Sequence, residues 1–223
     1  MDPEDLFRFF FETGFIYPEK YAEIASHKEE YTTTYKTLYQ QSVNISRHFI
    51  YQSPGYIQGH FATLQIYRKT WINQHHAALP NHRAGMRVVR AISEFLNDSY
   101  RIDSNNIRYI IGYYRPNNKF PRHFFGEFVR KTQDSTKTSL DEFAYFQDTK
   151  HFYAGVFSTQ SSLTPPWTLS PATRVDMLQF GAYYKQHSGG LLPFALDLTA
   201  DNNCNKYNSK INSDNALYHC RQI

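Results

Sequence analysis

Cysteine is scarce: the 223 residues hold 2, Cys204 and Cys220, both close to the end of the chain. They form neither a CxxC pair nor a spaced framework, so a disulfide-stapled small domain and a zinc ribbon are both excluded as organising principles. Long apolar runs are missing too. Phe9–Phe11 and Leu191–Leu192 fall far short of the ~20 residues a spanning helix needs. No charged-then-apolar leader precedes them, so the expectation is a cytoplasmic protein with no membrane span and no signal peptide. There is no Walker A loop, no G-x-G-x-x-G and no G-x-S-x-G elbow. Phosphate-loop, dinucleotide-binding and nucleophile-elbow chemistry therefore have no footing in the sequence.

What the chain has in quantity is rings. It carries 18 Tyr and 18 Phe, with 41% hydrophobic residues overall, which is ample for a folded core built from aromatics more than from Leu or Val. The length suits a single domain over residues 1–200. Residues 201–223, rich in Asn, Lys and Ser with little to bury, read as a flexible tail.

The formal net charge is +4, unevenly spread. Residues 108–137 hold 7 Lys or Arg against 2 acids, and residues 82–90 hold 3 arginines and no acid. Such basic concentrations suit a phosphate-bearing or acidic partner, and are equally compatible with an ordinary solvated face. No nucleic-acid-binding motif accompanies them, so no nucleic-acid partner is expected.

Period and punctuation predict the elements. Residues 4–13 read as a helix stopped by Gly14, and a second helix starts at Pro18 and runs to about Gln41. "VNISRHFIYQ" and "YIQGHFATLQIY", joined by "SPGY", read as a hairpin. "TWINQHHAAL" is a further strand closed by Pro80, residues 85–97 are helical, and "NIRYIIGYY" is a buried-looking strand. A helix follows from Asn118 to about Lys131, with Pro121 in its first turn and Phe120, Phe124, Phe125 and Phe128 as an apolar stripe. "LDEFAYF" (140–146) reads as a strand, Ser170 as a cap ahead of Pro171, and "LLPFALDL" (191–198) as a last strand. A hairpin feeding strand–helix–strand–helix implies an α/β (α+β) fold: a mixed sheet with helices on both faces.

Chemistry concentrates at the junction "HHAALPNHRAGMRVV". A strand ends, a short loop carries His82, Arg83 and Gly85, and a helix begins. Backbone N–H groups at a helix start, with a glycine for close approach and Arg83 and Arg87 for charge, make an anion site. A plain strand-to-helix connection with solvent-facing arginines is the other reading. His75, His76 and His82 invite a metal. Adjacent strand residues point to opposite faces, however, and no carboxylate or thiolate sits at ligand spacing, so no metal is expected.

These pieces resemble a known family. The strand–loop–helix at 71–97, the strand at 106–114 and the helix at 118–131 look like the core of the GNAT family of N-acyltransferases. That family's Q/R-x-x-G-x-G/A pyrophosphate motif corresponds here to His82-Arg83-Ala84-Gly85-Met86-Arg87, with the middle glycine kept and Arg87 in place of a small residue. Its next motif, an Asn, then a small residue, then a Tyr acting as general acid, corresponds to Asn118, Pro121 and Phe125; Phe125 has no proton to give. More closely, "GFIYPEKY", "KTWINQHHAAL", "GYYRPNNKFPRHFFGEFVR", "SLDEFAYF" and "SGGLLPFALDL" resemble bacterial GNAT-like domains found beside cyclic-di-GMP-binding PilZ domains and similar to long-chain N-acyl amino acid synthases.

The resemblance implies a GNAT-like sheet whose usual first strand is not found ahead of Asp2, as in a shortened chain or one whose strand comes from elsewhere. It implies transfer of an acyl group from a thioester donor, acyl-CoA or acyl carrier protein, to a small-molecule amine. A backbone N–H within Asn73–Ala78 would polarise the thioester carbonyl, and His82, Arg83, Gly85, Arg87 and Asn118 would line the donor. His75 or His76 would deprotonate the amine, since a histidine titrating near pH 7 suits that task. The basic strip 108–137 would suit an acidic carrier helix. The alternative is a non-catalytic module linked to nucleotide (cyclic-di-GMP) signalling with a PilZ-type partner, which Phe125 and Arg87 both favour.

Overall fold

A computed structural model describes residues 2–53, 55–80, 83–102, 107–143 and 172–200. The chain divides into two compact units, Met1–Asn118 with Ala195–Asp197, and Lys119–Phe194 with the residues from Leu198 onward. The tail 201–223 and most of the 140–146 segment lie outside the described residues.

The first unit opens with helix α1 (Pro3–Glu12). Asp2 accepts the Glu4 N–H at 2.9 Å, and Pro3 occupies the first position, where its missing N–H costs nothing. Leu6, Phe7, Phe9 and Phe10 form the buried face, and Gly14 turns the chain at φ +69°. The expected single helix from Pro18 to Gln41 is segmented. It runs as α2 (Pro18–Ile24), a 3₁₀ turn (Ala25–His27), α3 (Lys28–Lys36) and a π-helical turn (Thr37–Gln41). The break falls at Ala25–His27, ahead of the threonines, which lie within α3, and the buried rings of Tyr35 and Tyr39 anchor the far end.

Strands β1 (Ser46–Ser53), β2 (Tyr56–Tyr67), β3 (Thr70–Ala78) and β4 (Tyr109–Gly112) form one sheet in that order. β1, β2 and β3 are antiparallel neighbours, and β4 joins β3 in parallel. The parallel step requires a crossover, supplied by helix α4 (Ala84–Tyr100). The mixed sheet therefore follows the sequence expectation.

Helices cover both faces. On one, His60 meets Phe10 with ring centroids 5.1 Å apart, and Ala62 joins the cluster of Leu6, Phe7, Phe9 and Phe10. On the other, Phe49 and Trp71 meet Phe95 of α4 at 5.6 and 6.4 Å. Burying rings of this size contributes roughly 2–3 kcal/mol each, so both faces are anchored mainly by aromatics. Far along the chain, the Ala195 carbonyl accepts a bond of 2.6 Å from the buried Thr70 hydroxyl, fixing Ala195–Asp197 at the start of β3.

In the second unit, α5 (Lys119–Pro121), a π-helical turn (Arg122–Gly126) and α6 (Glu127–Thr132) continue one another. The expected phenylalanine stripe is only partly buried there, since Phe128 is 62% exposed. Helix α7 (Arg174–Ser188) is capped by Thr173, which exchanges hydrogen bonds with Asp176; Ser170 and Pro171, expected to cap it, lie outside the described residues. Gly189 and Gly190 end it, both left-handed. The strand expected over 191–198 is instead a short helix, α8 (Leu191–Ala195). Pro193 explains the correction. Proline fits the first turn of a helix and has no N–H to give a central strand. Residues 140–143, the described part of the other expected strand, are irregular.

Candidate functional site

β3 and β4 pair over Thr70–Asn73 and Tyr109–Gly112 and then part. β3 continues to Ala78, while β4 ends at Gly112, so no strand pairs with that edge of β3 beyond Asn73 among the described residues.

Beyond Asn73, β3 carries a bulge. His60 opposes Ala77 and Ala62 opposes Gln74, so Phe61 faces both His75 and His76. His75 takes φ +56°, left-handed for a residue with a side chain, at a cost on the order of 1 kcal/mol. The bulge resets the phase of the strand. Trp71 and His76 are an odd number of residues apart, which on a regular strand places them on opposite faces. Here Trp71 packs on Phe95 of α4, and His76 reaches the carbonyl of Gly85 at the start of the same helix.

The two adjacent histidines do point to opposite faces. His75 lies among Phe10, Phe15 and Tyr35, with centroids 5.7, 5.5 and 6.1 Å away, and its Nδ1 is hydrogen-bonded to the Tyr39 hydroxyl at 3.1 Å. Burial, with a smaller contribution from Lys20, pushes its pKa down to about 4. His76 packs edge-on against Phe61 at 4.9 Å, and its pKa is also lowered by burial. Burial thus favours the neutral ring in both, and at about 4 His75 is poorly matched to deprotonating an amine.

The start of α4 lies at the far end of β3. Arg83, at φ +50°, precedes the helix without a side-chain cap, and the first turn contains no acid. The positive end of the helix is therefore met by no negative side chain of its own turn, and exposed Arg83 and Arg87 flank it. That combination fits a phosphate. Two details differ from the expected motif. A Cβ on Gly85 would lie 3.3 Å from the Ala78 Cβ and 3.5 Å from the His76 ring, so this glycine serves the seating of the helix on β3. The Arg87 guanidinium lies over the Tyr51 ring, 4.7 Å from its centre. His82 lies outside the described residues.

Asn118 closes a turn through its N–H to the Arg115 carbonyl at 2.9 Å and is exposed. Phe125 lies in the π-helical turn of the second unit, edge-on to Phe124 at 5.1 Å. No group of His, Cys, Asp and Glu able to hold a metal occurs among the described residues. None of their helices is long and apolar enough to cross a membrane.

Sequence reasoning missed Tyr39, His48 and His60. Tyr39 stacks on His48 at 4.4 Å with the planes 7° apart, and His60 directs Nδ1 to the His75 carbonyl at 2.9 Å. The signal was available: His48 and His60 occupy inward positions of alternating strands, where a polar ring is unusual.

No protein-family model matches the chain, and no curated protein matches it. Among solved structures, an acetyltransferase from Streptococcus agalactiae aligns at 16% identity and TM-score 0.43, covering 66% of this chain and 85% of that one. An acetyltransferase from Trypanosoma brucei aligns at 11% and 0.38, covering 66% and 93%. Glucosamine-6-phosphate N-acetyltransferase from Arabidopsis thaliana aligns at 12% and 0.38, covering 66% and 95%. Likeness this distant does not carry an activity to the chain. The class its own strands and helices define is a mixed α/β domain with a bulged four-stranded sheet.

Proposed function

We propose that the chain is a GNAT-like N-acyltransferase, moving an acyl group from a thioester donor, acyl-CoA or acyl carrier protein, to a small-molecule amine. The observation that carries this reading is the end of β3–β4 pairing at Asn73–Gly112, which leaves that edge of β3 without a paired strand among the described residues, with the His75–His76 bulge along that stretch. An extended donor arm would lie along that edge and bond to strand backbone, while its phosphate meets the start of α4 with Arg83. The amine nitrogen attacks the thioester carbonyl carbon, the C–N bond forms and the C–S bond breaks. The nitrogen loses one proton and the departing sulfur gains one. Backbone N–H groups of β3 stabilise the developing oxyanion, and positioning supplies most of the acceleration. His76 is the candidate base, and Phe125 leaves protonation of the thiolate to water or another side chain.

A second reading, a non-catalytic module in cyclic-di-GMP signalling, is favoured by the stacking of Arg87 on Tyr51 and by Phe125 in place of an acid. Native mass spectrometry with acetyl-CoA, a long-chain acyl-CoA, an acyl carrier protein and cyclic-di-GMP separates the readings. The transferase should retain one acyl donor and release its thiol when an amine is added. Retention of cyclic-di-GMP alone would replace it with the signalling module.

A further inference from the structure

We propose that Tyr39 and His60 are positioning residues that together hold His75 in its left-handed conformation and so fix the course of β3 beyond its pairing with β4. His75 is gripped at both ends. The Tyr39 hydroxyl is hydrogen-bonded to the side chain at Nδ1, 3.1 Å away, and His60 Nδ1 donates to the main-chain carbonyl at 2.9 Å. Phe10 locks the pair from above, edge-on to His60 at 5.1 Å and to His75 at 5.7 Å.

Each partner occupies an unusual place of its own. Tyr39 belongs to the π-helical turn that ends α3, closed by the Ser42 N–H to the Thr37 carbonyl at 2.9 Å. Such turns concentrate at functional sites. His60 is wholly buried in β2, and its Nε2 has no hydrogen-bond partner among the described residues. A buried polar atom left unpaired is unfavourable, and an apolar residue at position 60 would avoid it. What the imidazole supplies in return is the Nδ1 donor to His75. A bulge in αL geometry without glycine needs such over-determination by its surroundings. The consequence for catalysis rests on the acyl-transfer reading: a bulge that wanders moves the β3 amides away from the thioester carbonyl, and misplacements of this kind lower kcat more than binding.

The test uses the full chain with Tyr39→Phe, His60→Leu and His60→Asn. The first removes only a hydroxyl; the third keeps a donor near the position of Nδ1. Amide hydrogen exchange is read at Gln74–Ala77 against the α4 amides of Val88–Leu96, and thiol release from acetyl-CoA is followed in parallel. Tyr39→Phe and His60→Leu should speed exchange at Gln74–Ala77 by about tenfold relative to α4, with His60→Asn closer to wild type. kcat for thiol release should fall while KM for acetyl-CoA holds. Unchanged relative exchange in Tyr39→Phe and His60→Leu overturns the clamp. Faster exchange with unchanged kcat overturns its role in the reaction. A wild-type chain that neither binds nor consumes acetyl-CoA counts against the acyl-transfer reading, and the exchange rates still decide the clamp.

Discussion

His76 Nε2 lies 3.3 Å from the Gly85 carbonyl and donates to it, joining the open end of β3 to the first turn of α4. The carbonyl belongs to the turn where an anion would be received, so this bond sets where the helix start stands relative to β3. His76→Leu removes the donor and should lower stability by ~1–2 kcal/mol in urea unfolding. His76→Gln, which can present an amide N–H near the same point, should lose less. Equal losses for the two variants would show that packing against Phe61, not the bond, is what matters.

Gly59 of β2 provides a second seat for the same helix. A Cβ there would lie 3.0 Å from the Ala84 carbonyl oxygen and 3.1 Å from its carbon, both main-chain atoms that cannot step aside. Gly59→Ala should therefore destabilise by ~1–3 kcal/mol, the usual cost of overpacking. Thermal unfolding checks it; an unchanged Tm would mean that α4 shifts freely on the sheet.

Acid should weaken the first unit through its buried histidines. Burial pushes His48 down to about 4, His60 to about 3 and His75 to about 4. Their unfolded-state values stay near 6.5, so between those limits the unfolded chain binds more protons than the folded one, and stability rises with pH. The contribution is complete above pH ~6.5 and is lost as pH falls toward ~4. Unfolding free energies from urea titrations at pH 7.5 and 4.5 should differ by about 2.5 kcal/mol for each of the three histidines that keeps its full shift, about 8 at most. A flat profile over that window would mean that the histidines titrate normally. Asp134, held down to about 2 by hydrogen bonds from Thr136 and Lys137, acts in a separate and lower window.

The hairpin, β3 and α4 were legible because each carries a local signal and a stop: β-rich runs flanking the SPGY turn, Pro80 after β3, and helical spacing through Met86, Val89, Ala91, Ile92 and Phe95, of which Val89 and Ile92 are buried and Met86 is exposed. The site was legible only as a place. Gly85 was identified as important, yet its reason is the Ala78 and His76 contact, which no local spacing encodes. The bulge was invisible because His75 takes a glycine-like φ without being glycine, and what holds it comes from Phe10, Tyr39 and His60, distant in sequence. The misread strand at 191–198 was a short apolar run, the case in which periodicity cannot separate strand from helix, and Pro193 should have decided it.

Gly189 closes α7 in the second unit at φ +82°, and a Cβ there would lie 2.3 Å from the Ser135 carbonyl oxygen. Conformational strain and the clash act in the same direction. Gly189→Ala should cost ~2–4 kcal/mol and reduce helical ellipticity at physiological temperature. The control is Gly181→Ala, where nothing among the described residues lies within 4 Å of an added Cβ. In the interior of α7 that change should stabilise slightly, by up to ~1 kcal/mol. Reversed signs for the two substitutions would rule out the Ser135 contact.

The arginines at the start of α4 should not contribute equally to donor binding. Arg83 is exposed at the uncapped helix start, whereas Arg87 already lies over Tyr51 at 4.7 Å. To reach a phosphate, Arg87 gives up that stacking, a loss of ~0.5–1 kcal/mol. Arg83→Ala should therefore weaken acyl-CoA binding by about tenfold, and Arg87→Ala by less. Tyr51→Leu releases the second guanidinium and should tighten binding, with a steeper salt dependence because one more exposed charge takes part. Calorimetric titration with acetyl-CoA at two ionic strengths checks all three. Wild-type affinity in Arg83→Ala would move the phosphate away from this helix start, and weakened binding in Tyr51→Leu would mean that the ring, not the freed arginine, contacts the donor.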